Sequence, residues 1–304
     1  MQTRFLKALA MAVALPTQAT AQTNPLWHEQ KIKNYLPHMT SPEVRDLLTR
    51  TDMVIIPVAS LEQHGPQLPI GTDYLNGVER AKLVAQRTDV LVAPILLPGQ
   101  SPYHMDFPGT ITLSTATIQQ VYFEAAQSLI RHGFRRFLLL NSHGGNQYIT
   151  RLVADRINQE TEGVAVELGE GVAATRSAPP SAPEGPRYFD QHGGVGETSS
   201  ALYLAPSVVA LERSQRARLT FPAHMTGMFP HVVAGDPVAR LVFMAEGLKP
   251  RETGKGTSAA EMSTTGVWSE RDPSDATAEQ GRRATEAFVD GAVRFIERWK
   301  ELRP

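Results

Sequence analysis

The stretch MVIIPVASLEQHGPQLPIGTD, residues 53–73, carries the strongest structural signal in this chain of 304 residues. It begins with a continuous apolar run, residues 53–58, which is rich in β-branched side chains and has the length of a strand. A polar loop punctuated by Gly and Pro follows, and it carries Glu62, His64 and Asp73. A strand that is apolar on both faces is typical of a parallel sheet. The stretch therefore predicts an α/β domain with polar chemistry where a strand ends.

The rest of the chain repeats this alternation of apolar runs and helical patterns. Strands are predicted at residues 90–97, 137–140 and 164–168, and helices over about 75–87, 115–132, 147–159, 197–204 and 276–302. Thr115 or Thr117 is predicted to cap the second helix, and Gly133 to end it. The alternation predicts a doubly wound, mainly parallel sheet with helices on both faces. Residues 210–270 give no clear pattern.

Parallel sheets bind ligands at the carboxyl ends of their strands, and the polar motifs lie there. Residues 60–73 follow the first predicted strand, and residues 141–146 follow the third, with His143 between them. A third polar motif, with His192 and Glu197, comes after the Pro- and Ser-rich segment 177–186, which we interpret as a loop or lid. We expect the three motifs to converge.

The chemistry of these residues indicates a metal site. The chain contains no cysteine, so any bound metal must be held by His, Asp and Glu. Glu62 and His64 are two positions apart, and in an extended segment such residues project to the same side. Carboxylates together with imidazoles suit zinc, manganese or a related divalent ion.

Each of these residues also has a simpler interpretation. Taken alone, Glu62 or Asp73 fits a helix cap or a solvated loop carboxylate, and His143 fits a structural histidine equally well. For His104 and His224 a structural or supporting role is favoured, because neither belongs to a close cluster of ligand-type residues in the sequence. The joint pattern is what favours a metal site.

Composition and charge exclude several other classes of function. The formal net charge of −1 gives no field that would recruit nucleic acid, so a small-molecule partner is expected. Apolar residues make up 41% and charged residues 20%, as in ordinary globular proteins. The sequence has no G-x-S-x-G motif and no cysteine nucleophile.

The N-terminus has the pattern of a secretory signal peptide. Arg4 and Lys7 precede an apolar run at residues 8–15, and Ala19-Thr20-Ala21 provides small residues for cleavage. Residues 1–21 are therefore predicted to be a signal peptide, and residues 22–304 a single domain that is periplasmic or secreted. The alternative is a short N-terminal helix of a cytosolic protein. The apolar run is too short to span a bilayer, so no membrane anchor is expected.

Four motifs together resemble one known family, the creatininase-like amidohydrolases. The first, Ser60-Leu-Glu-Gln-His-Gly-Pro-Gln-Leu-Pro-Ile-Gly-Thr-Asp73, is similar to the signature loop of that family. The others follow in the order of the family: Phe107-Pro-Gly-Thr110, Asn141-Ser-His-Gly-Gly-Asn146 and His192-Gly-Gly-Val-Gly-Glu-Thr-Ser199. The resemblance spans roughly residues 50–300.

The resemblance implies a dinuclear metal site that holds two divalent ions, zinc or manganese. Glu62 and His143 would bind one ion, His64 and Glu197 the other, and Asp73 would bridge them. It further implies that His192 is the acid/base residue, so that His192 and Glu197 are the catalytic pair, and that the chain forms a homo-oligomer, in this family commonly a hexamer. Contacts with the substrate are predicted for Ser101, His104, Gly144, Gly145 and Gly193.

One departure from the family pattern bears on the substrate. Creatininase has a tyrosine and a metal-binding glutamate directly after the histidine that matches His143, whereas this chain has Gly144 and Gly145. The segment predicted as a lid also lacks tryptophan, which creatininase uses to close over its substrate. We therefore expect a relative of creatininase and not creatininase itself.

The expected reaction is hydrolysis of a small amide, linear or cyclic, by a hydroxide that bridges the two metals. Metal ions lower the pKa of bound water from about 15.7 toward neutrality, which supplies that hydroxide without a strong protein base. Such a site does not by itself select amides. A metal-dependent lactone or ester hydrolase, and a non-catalytic periplasmic protein that binds a metal or a small molecule, remain alternatives.

Overall fold

The computed structural model describes residues 24, 30–96, 98–176, 187–247 and 258–303. The chain divides into two units, residues 1–31 and residues 32–304, and the fold described below belongs to the second. The predicted signal peptide and the predicted lid at 177–186 lie outside the described residues. None of the described helices is long and apolar enough to cross a lipid bilayer.

A parallel sheet of four strands forms the centre of the second unit. The strands are β1 (Met53–Val58), β2 (Leu91–Val92), β3 (Arg136–Asn141) and β4 (Val164–Glu167). They lie in the order β2-β1-β3-β4, and every neighbouring pair is parallel. All six residues of β1 are buried, which explains why that strand reads as a continuous apolar run.

Helices cover both faces of the sheet, as the alternating pattern predicts. On one face lie α1 (Ser41–Leu47), α3 (Thr115–His132) and α4 (Gln147–Glu160). On the other lie α2 (Thr72–Thr88), α5 (Leu168–Ala174) and α11 (Ala278–Leu302). Successive β1 side chains alternate between the two hydrophobic cores, so the strand stabilises both layers at once.

The strand order places a crevice between β1 and β3. From β1 the chain passes through α2 to β2 on one side, and from β2 it crosses through α3 to β3 on the other side of β1. Loops that leave the carboxyl ends of β1 and β3 therefore diverge, and a ligand site forms where they part.

The C-terminal half adds a second, smaller layer beside this crevice. Strands β5 (Asp190–His192) and β6 (Trp268–Ser269) pair antiparallel, and α6 (Val195–Leu204) follows β5 directly. Between them lie four short helices of the stretch that sequence patterns leave unassigned: α7 (Ala223–Thr226), α8 (Phe229–Ala234), α9 (Pro237–Gly247) and α10 (Ala259–Met262). They surround a separate core that includes Phe189, Phe243 and Trp268.

Three details differ from the expectations drawn from sequence. Strand β2 covers two residues, because the segment after Val92 leaves the sheet although its residues are apolar. Ser114 caps α3, accepting a hydrogen bond from the backbone N–H of Thr117, whereas we predicted Thr115 or Thr117. Asp73 lies in the first turn of α2 and not in the loop that precedes it. The predicted end of α3 is confirmed, since Gly133 is left-handed there.

Candidate metal and catalytic site

The three polar motifs meet in one buried cluster at the carboxyl edge of the sheet. The loop after β1 supplies Glu62 and His64, the start of α2 supplies Asp73, and the loop after β3 supplies His143. The last residue of β5 and the first turn of α6 supply His192 and Glu197. The site is therefore assembled across residues 62–197, and no single element could form it.

Carboxylates and imidazoles alternate within this cluster. Nδ1 of His143 lies 3.2 Å from Oε1 of Glu62 and 3.1 Å from Oδ2 of Asp73. Nε2 of His64 lies 3.3 Å from Oδ1 of Asp73. Asp73 therefore stands between the two histidines, with one carboxylate oxygen toward each. The hydroxyl of Ser60 donates to Oδ2 of Asp73 at 2.6 Å and fixes that carboxylate.

Three histidines use one ring nitrogen on the backbone and leave the other facing the carboxylates. His64 Nδ1 lies 3.0 Å from the carbonyl oxygen of Glu62, and His143 Nε2 lies 3.0 Å from that of Gln100. His192 Nε2 lies 2.6 Å from the carbonyl oxygen of Gln63. A carbonyl only accepts, so these nitrogens carry the hydrogens. In the neutral form of each ring, which a metal requires, the lone pair of the opposite nitrogen then points into the cluster.

His104 has the opposite arrangement, and Gln63 sets it. The amide nitrogen of Gln63 donates to the carbonyl of Gly266 and lies 2.9 Å from Nδ1 of His104. The amide oxygen accepts from the N–H of Gly65, so the amide has a fixed orientation. His104 therefore accepts at Nδ1 and carries its hydrogen on Nε2, which lies 3.6 Å from Oε1 of Glu62. His104 is therefore a hydrogen-bond donor toward the cluster, which agrees with the supporting role predicted for it; its contact with substrate stays a prediction.

Glu197 occupies the outer side of the cluster. Its Oε2 lies 3.7 Å from Nε2 of His64 and accepts the N–H of Gly193 at 2.5 Å. The side chain is 34% exposed, whereas those of Glu62 and Asp73 are almost fully buried. Loss of hydration, opposed by the charge of His64, raises the pKa of Glu197 to about 7.

The buried carboxylates create a negative potential at two of the imidazoles, those of His64 and His143. Burial alone would lower the pKa of His64, but the carboxylates of Asp73 and Glu197 outweigh it and raise that pKa to about 10. The pKa of His143 is likewise raised, because Glu62 outweighs the effect of burial. The site therefore favours positive charge despite being buried.

The pKa of His192 is shifted in the direction opposite to that of His64 and His143. Burial, reinforced by the charges of the other histidines, holds its pKa well below the ordinary value. Its Nδ1 lies 3.7 Å from Oε1 of Glu62. His192 is therefore a neutral imidazole with a free lone pair beside the cluster.

The side chains fit a bound metal. Oε2 of Glu62 and Nε2 of His64 are buried and have no hydrogen-bond partner among the described residues. Burying a polar atom without a partner costs free energy, unless a cation or a hydrogen-bond donor contacts it. Within three sets of residues the potential ligand atoms lie within 4.8 Å of one another: Glu62, Asp73 and His143; His64, Asp73 and Glu197; and Glu62, His64 and His192.

The glycines of the site differ in the space around them. A Cβ on Gly145 would lie 2.4 Å from the carbonyl oxygen of Gln100 and 2.5 Å from Nε2 of His143. A Cβ on Gly193, which has φ +62°, would lie 2.6 Å from the carbonyl oxygen of His64. Around Gly144 there is open space. Gly145 therefore lets the backbone pack against His143, and no side chain fits at that position in this arrangement.

Ser101 and His224 do not belong to the groups of potential metal ligands in the described part of the chain. Ser101 is fully buried, with its hydroxyl 3.3 Å from the outer nitrogen of His143, and its contact with substrate stays a prediction. His224 lies on α7, half exposed, 3.9 Å from a carboxylate oxygen of Glu246.

Sequence reasoning missed three residues that shape the site. The amide of Gln63 joins His104 to the loop at Gly266. The hydroxyl of Tyr103 lies 3.4 Å from His143, and the ring of Trp268 lies 5.7 Å from that of His104. Gln63 could have been suspected, because it lies between two ligand-type residues. Nothing in the sequence pattern connects Trp268 to a motif more than two hundred positions earlier.

A cavity of about 340 Å³ gives access to this cluster, and His192 and Glu197 line it. Buried carboxylates and imidazoles at the switch point of a parallel α/β sheet, open to a small polar cavity, define a candidate metal-dependent hydrolytic site.

Comparison with known proteins identifies the family. The family model described as creatinine amidohydrolase, creatininase, matches residues 37–296, and the chain belongs to the creatininase family. The mycofactocin precursor peptide peptidase of Mycobacterium tuberculosis is 31% identical over 256 residues, which cover 81% of this chain and 85% of that protein. The creatinine amidohydrolase of Pseudomonas putida is 30% identical over 233 residues, 71% of this chain and 86% of that protein.

Solved structures agree with this assignment. A crystal structure of creatininase has a TM-score of 0.65 and 25% identity, and the match covers 90% of this chain and 99% of that one. Similar structures include a manganese creatininase and a Zn-Zn form of a creatininase mutant, each with a TM-score of 0.64. The expected fold is thus confirmed, and the chain is a creatininase-like amidohydrolase with a candidate metal site, not creatininase itself.

Proposed function

We propose that the chain hydrolyses the C–N bond of a small amide at a site that holds two divalent metal ions, zinc or manganese. The observation that carries this proposal is the shared arrangement of His64, His143 and His192. Each donates one ring N–H to a backbone carbonyl and directs the other nitrogen at buried carboxylates. Such an arrangement fixes the tautomer that a metal requires.

The ligand atoms divide between two positions that share Asp73. Glu62 and His143 would hold one ion, and His64 and Glu197 the other. Asp73 presents one oxygen to each histidine, which supports a bridging role. These ligands are the same ones that the family resemblance implies. Creatininase has a metal-binding glutamate at the position of Gly145, and in this chain Glu197 would take over its role.

Metal ions bound there would supply a Lewis acid and lower the pKa of coordinated water, so hydrolysis would need no strong protein base. His192 accepts a proton at Nδ1 when water attacks the carbonyl, because that nitrogen is neutral and its lone pair is free. It then returns the proton to the departing nitrogen, a step typically worth about 10²–10⁴-fold in rate.

His104 and nearby backbone groups bind the substrate in this proposal. Nε2–H of His104 is directed toward the cluster and can donate to a developing oxyanion. The open surface at Gly144 lets a substrate approach the backbone closely. Ser101 acts behind His143, and Gly145 preserves the space that this histidine needs.

The class of amide is the part of the proposal that experiment must decide. One relative is named a peptide peptidase and another a creatinine amidohydrolase, so linear peptides and cyclic amides are both candidates. Our proposal names a small non-peptide amide, and the cavity of about 340 Å³ beside the cluster has a suitable size for such a ligand. Lactones and esters remain the alternative, because the same chemistry cleaves them.

The test is metal-dependent turnover by the purified chain. Metal-free protein should be inactive, and added Zn²⁺ or Mn²⁺ should restore cleavage of members of an amide panel more than of matched lactones and linear peptides. Preferred cleavage of lactones or of peptides would move the assignment to those classes. Bound metal without turnover of any compound would instead support a binding protein.

The bridging role of Asp73 has its own test. Asp73→Ala should lose both metal ions and all activity, whereas Asp106→Ala, which removes an exposed carboxylate, should keep the metal ions and the activity. Metal content by mass spectrometry decides the point, and two ions retained by Asp73→Ala would disprove the bridge.

We also propose that residues 1–21 direct export and that the mature chain forms a homo-oligomer. The first proposal rests on the pattern of the N-terminal sequence. The second is supported by apolar side chains exposed on α9, where Val238 and Leu241 are 69% and 66% exposed. N-terminal sequencing of the exported protein and light scattering of the purified protein test them.

A further inference from the structure

The cavity beside the cluster contains two arginines that the proposed hydrolysis does not use. Arg80 comes from α2 and Arg240 from α9, and both line the same cavity as His192 and Glu197. Two guanidinium groups from separate elements on one small cavity form a potential anion site, because the planar guanidinium matches a carboxylate in shape and charge.

Neither arginine makes a close contact with a carboxylate, although the charge of Glu197 opposes the lowering of the Arg80 pKa by burial. Nη2 of Arg80 donates to the hydroxyl of Ser200 at 3.3 Å, and Nη2 of Arg240 donates to the amide oxygen of Gln191 at 3.2 Å. These partners are uncharged, and among the described residues neither arginine forms an ion pair. Nε of Arg80 is buried and has no hydrogen-bond partner there. Burying a donor of a charged group without a partner costs free energy, unless a ligand or a water molecule accepts its hydrogen bond.

A second unpartnered group lies one helical turn before Arg80. Asn76 is 7% exposed, lines the cavity, and its amide oxygen has no partner among the described residues. Positions 76 and 80 lie on the same face of α2, since residues four apart are neighbours on a helix. An amide can turn to present its NH₂ group, so Asn76 can also donate to an anion.

The acidic residues of the cavity are engaged elsewhere. Asp190 accepts the N–H of Gly196 at 2.9 Å at the start of α6, and burial raises its pKa. Glu197 is a proposed metal ligand, so a bound ion would neutralise it. These two carboxylates still disfavour a dianion such as phosphate more than a singly charged group.

We propose that this cavity binds a carboxylate of the substrate, so that the preferred substrates are amides with a carboxylate close to the scissile bond. The inference rests on the proposed amide hydrolysis and names its substrate class. Arg80 and Arg240 hold the carboxylate while the amide carbonyl lies at the cluster. Hydrogen bonds between a guanidinium and a carboxylate are stronger than neutral ones, because both partners are charged.

The experiment compares matched anionic and neutral amides with the metal-loaded protein. N-acetylglycine is paired with N-isobutylacetamide, and N-acetyl-β-alanine with N-isopentylacetamide, which have similar shape without the charge. The ratio of kcat/KM for the anionic to the neutral member should fall about tenfold or more in Arg80→Met and in Arg240→Met, mainly through KM. Arg213→Met removes an arginine with a 73% exposed side chain outside the cavity and should leave the ratio as in the wild type.

Calorimetry with N-acetylglycine separates this inference from the proposed hydrolysis. If no amide is cleaved, the proposed function fails, but weaker binding of N-acetylglycine by Arg240→Met than by Arg213→Met still supports a carboxylate site. Arg240 is exposed, so its substitution should not impair folding. Equal ratios in the wild type and the arginine variants, or equal binding by both variants, would overturn the inference.

Discussion

His64, His143 and His192 are chemically alike, yet they do not present the same atom to the cluster. His64 offers Nε2, whereas His143 and His192 offer Nδ1. The choice is made by the backbone carbonyl that each ring meets on its other side. His104 meets the Gln63 amide instead of a carbonyl and therefore becomes a donor. One contact per ring thus decides which histidines can hold a metal.

Gly145 gives a test at this scale. Gly145→Ala should lower the free energy of unfolding by about 1–3 kcal/mol, because the new Cβ would overlap the carbonyl of Gln100 and the ring of His143. Displacing His143 should also weaken metal binding about 10–100-fold, which titration with Zn²⁺ measures.

Gly144→Ala is the matched control for this substitution. Open space surrounds the Cβ position at residue 144, so metal affinity and the midpoint of urea unfolding should stay at the values of the wild type. Equal effects of the two substitutions would contradict the steric role that we assign to Gly145.

At the scale of elements, α2 joins the two halves of the site. Its first turn carries Asp73, where the N-terminal end of the helix dipole stabilises a carboxylate. Asn76 and Arg80 follow on the cavity side of the same helix. The position of this one helix therefore sets the distance between the candidate metal site and the proposed carboxylate site.

Helix α3 provides a prediction about local sequence signals. Ser114→Ala should reduce the free energy of unfolding by about 1 kcal/mol, because the hydroxyl of Ser114 accepts the backbone N–H of Thr117. Thr115→Ala should cost less, since Thr115 lies inside the helix and Ala has the higher helix propensity. Urea unfolding measures both free energies. A larger loss of stability for Thr115→Ala than for Ser114→Ala would show that Thr115 is the cap, as the sequence predicted.

At the scale of the whole molecule, the site depends on the sheet order. The loops after β1 and β3 part at the crevice, and the β5–β6 pair brings His192 and Trp268 to it from the C-terminal half. Because ligands from distant segments meet there, a bound metal would connect the sheet to the smaller layer and so stabilise the entire fold.

Metal removal tests this link between site and stability. Zn²⁺ at about one hundred times its Kd should raise the free energy of unfolding by about 2.7 kcal/mol per site, and a chelator should reverse the gain. Mg²⁺ should give a smaller shift, because sites rich in imidazole favour zinc. Thermal unfolding measures the effect. An unfolding temperature that is the same with and without Zn²⁺ would exclude a metal site coupled to folding.

Sequence alone determined the parallel α/β layering, because continuous apolar strands alternating with amphipathic helices bury well in only a few arrangements. It also predicted that three polar motifs would meet. Two of them follow parallel strands, which share a carboxyl edge, whereas the third begins at the end of β5 in the antiparallel pair. The sequence could not predict β2 correctly, because the apolar residues beyond Val92 leave the sheet: Ala93 is buried, but Leu96 is 41% exposed.

Only the tertiary structure decided the roles within the site. Which nitrogen each histidine offers, the opposite arrangement of His104, and the placement of Trp268 depend on contacts between segments far apart in the chain. The same is true of Arg80 and Arg240, which share a cavity although α2 and α9 are 160 positions apart at these residues. Periodicity reports which face of an element is buried, but it carries no information about what lies opposite that face.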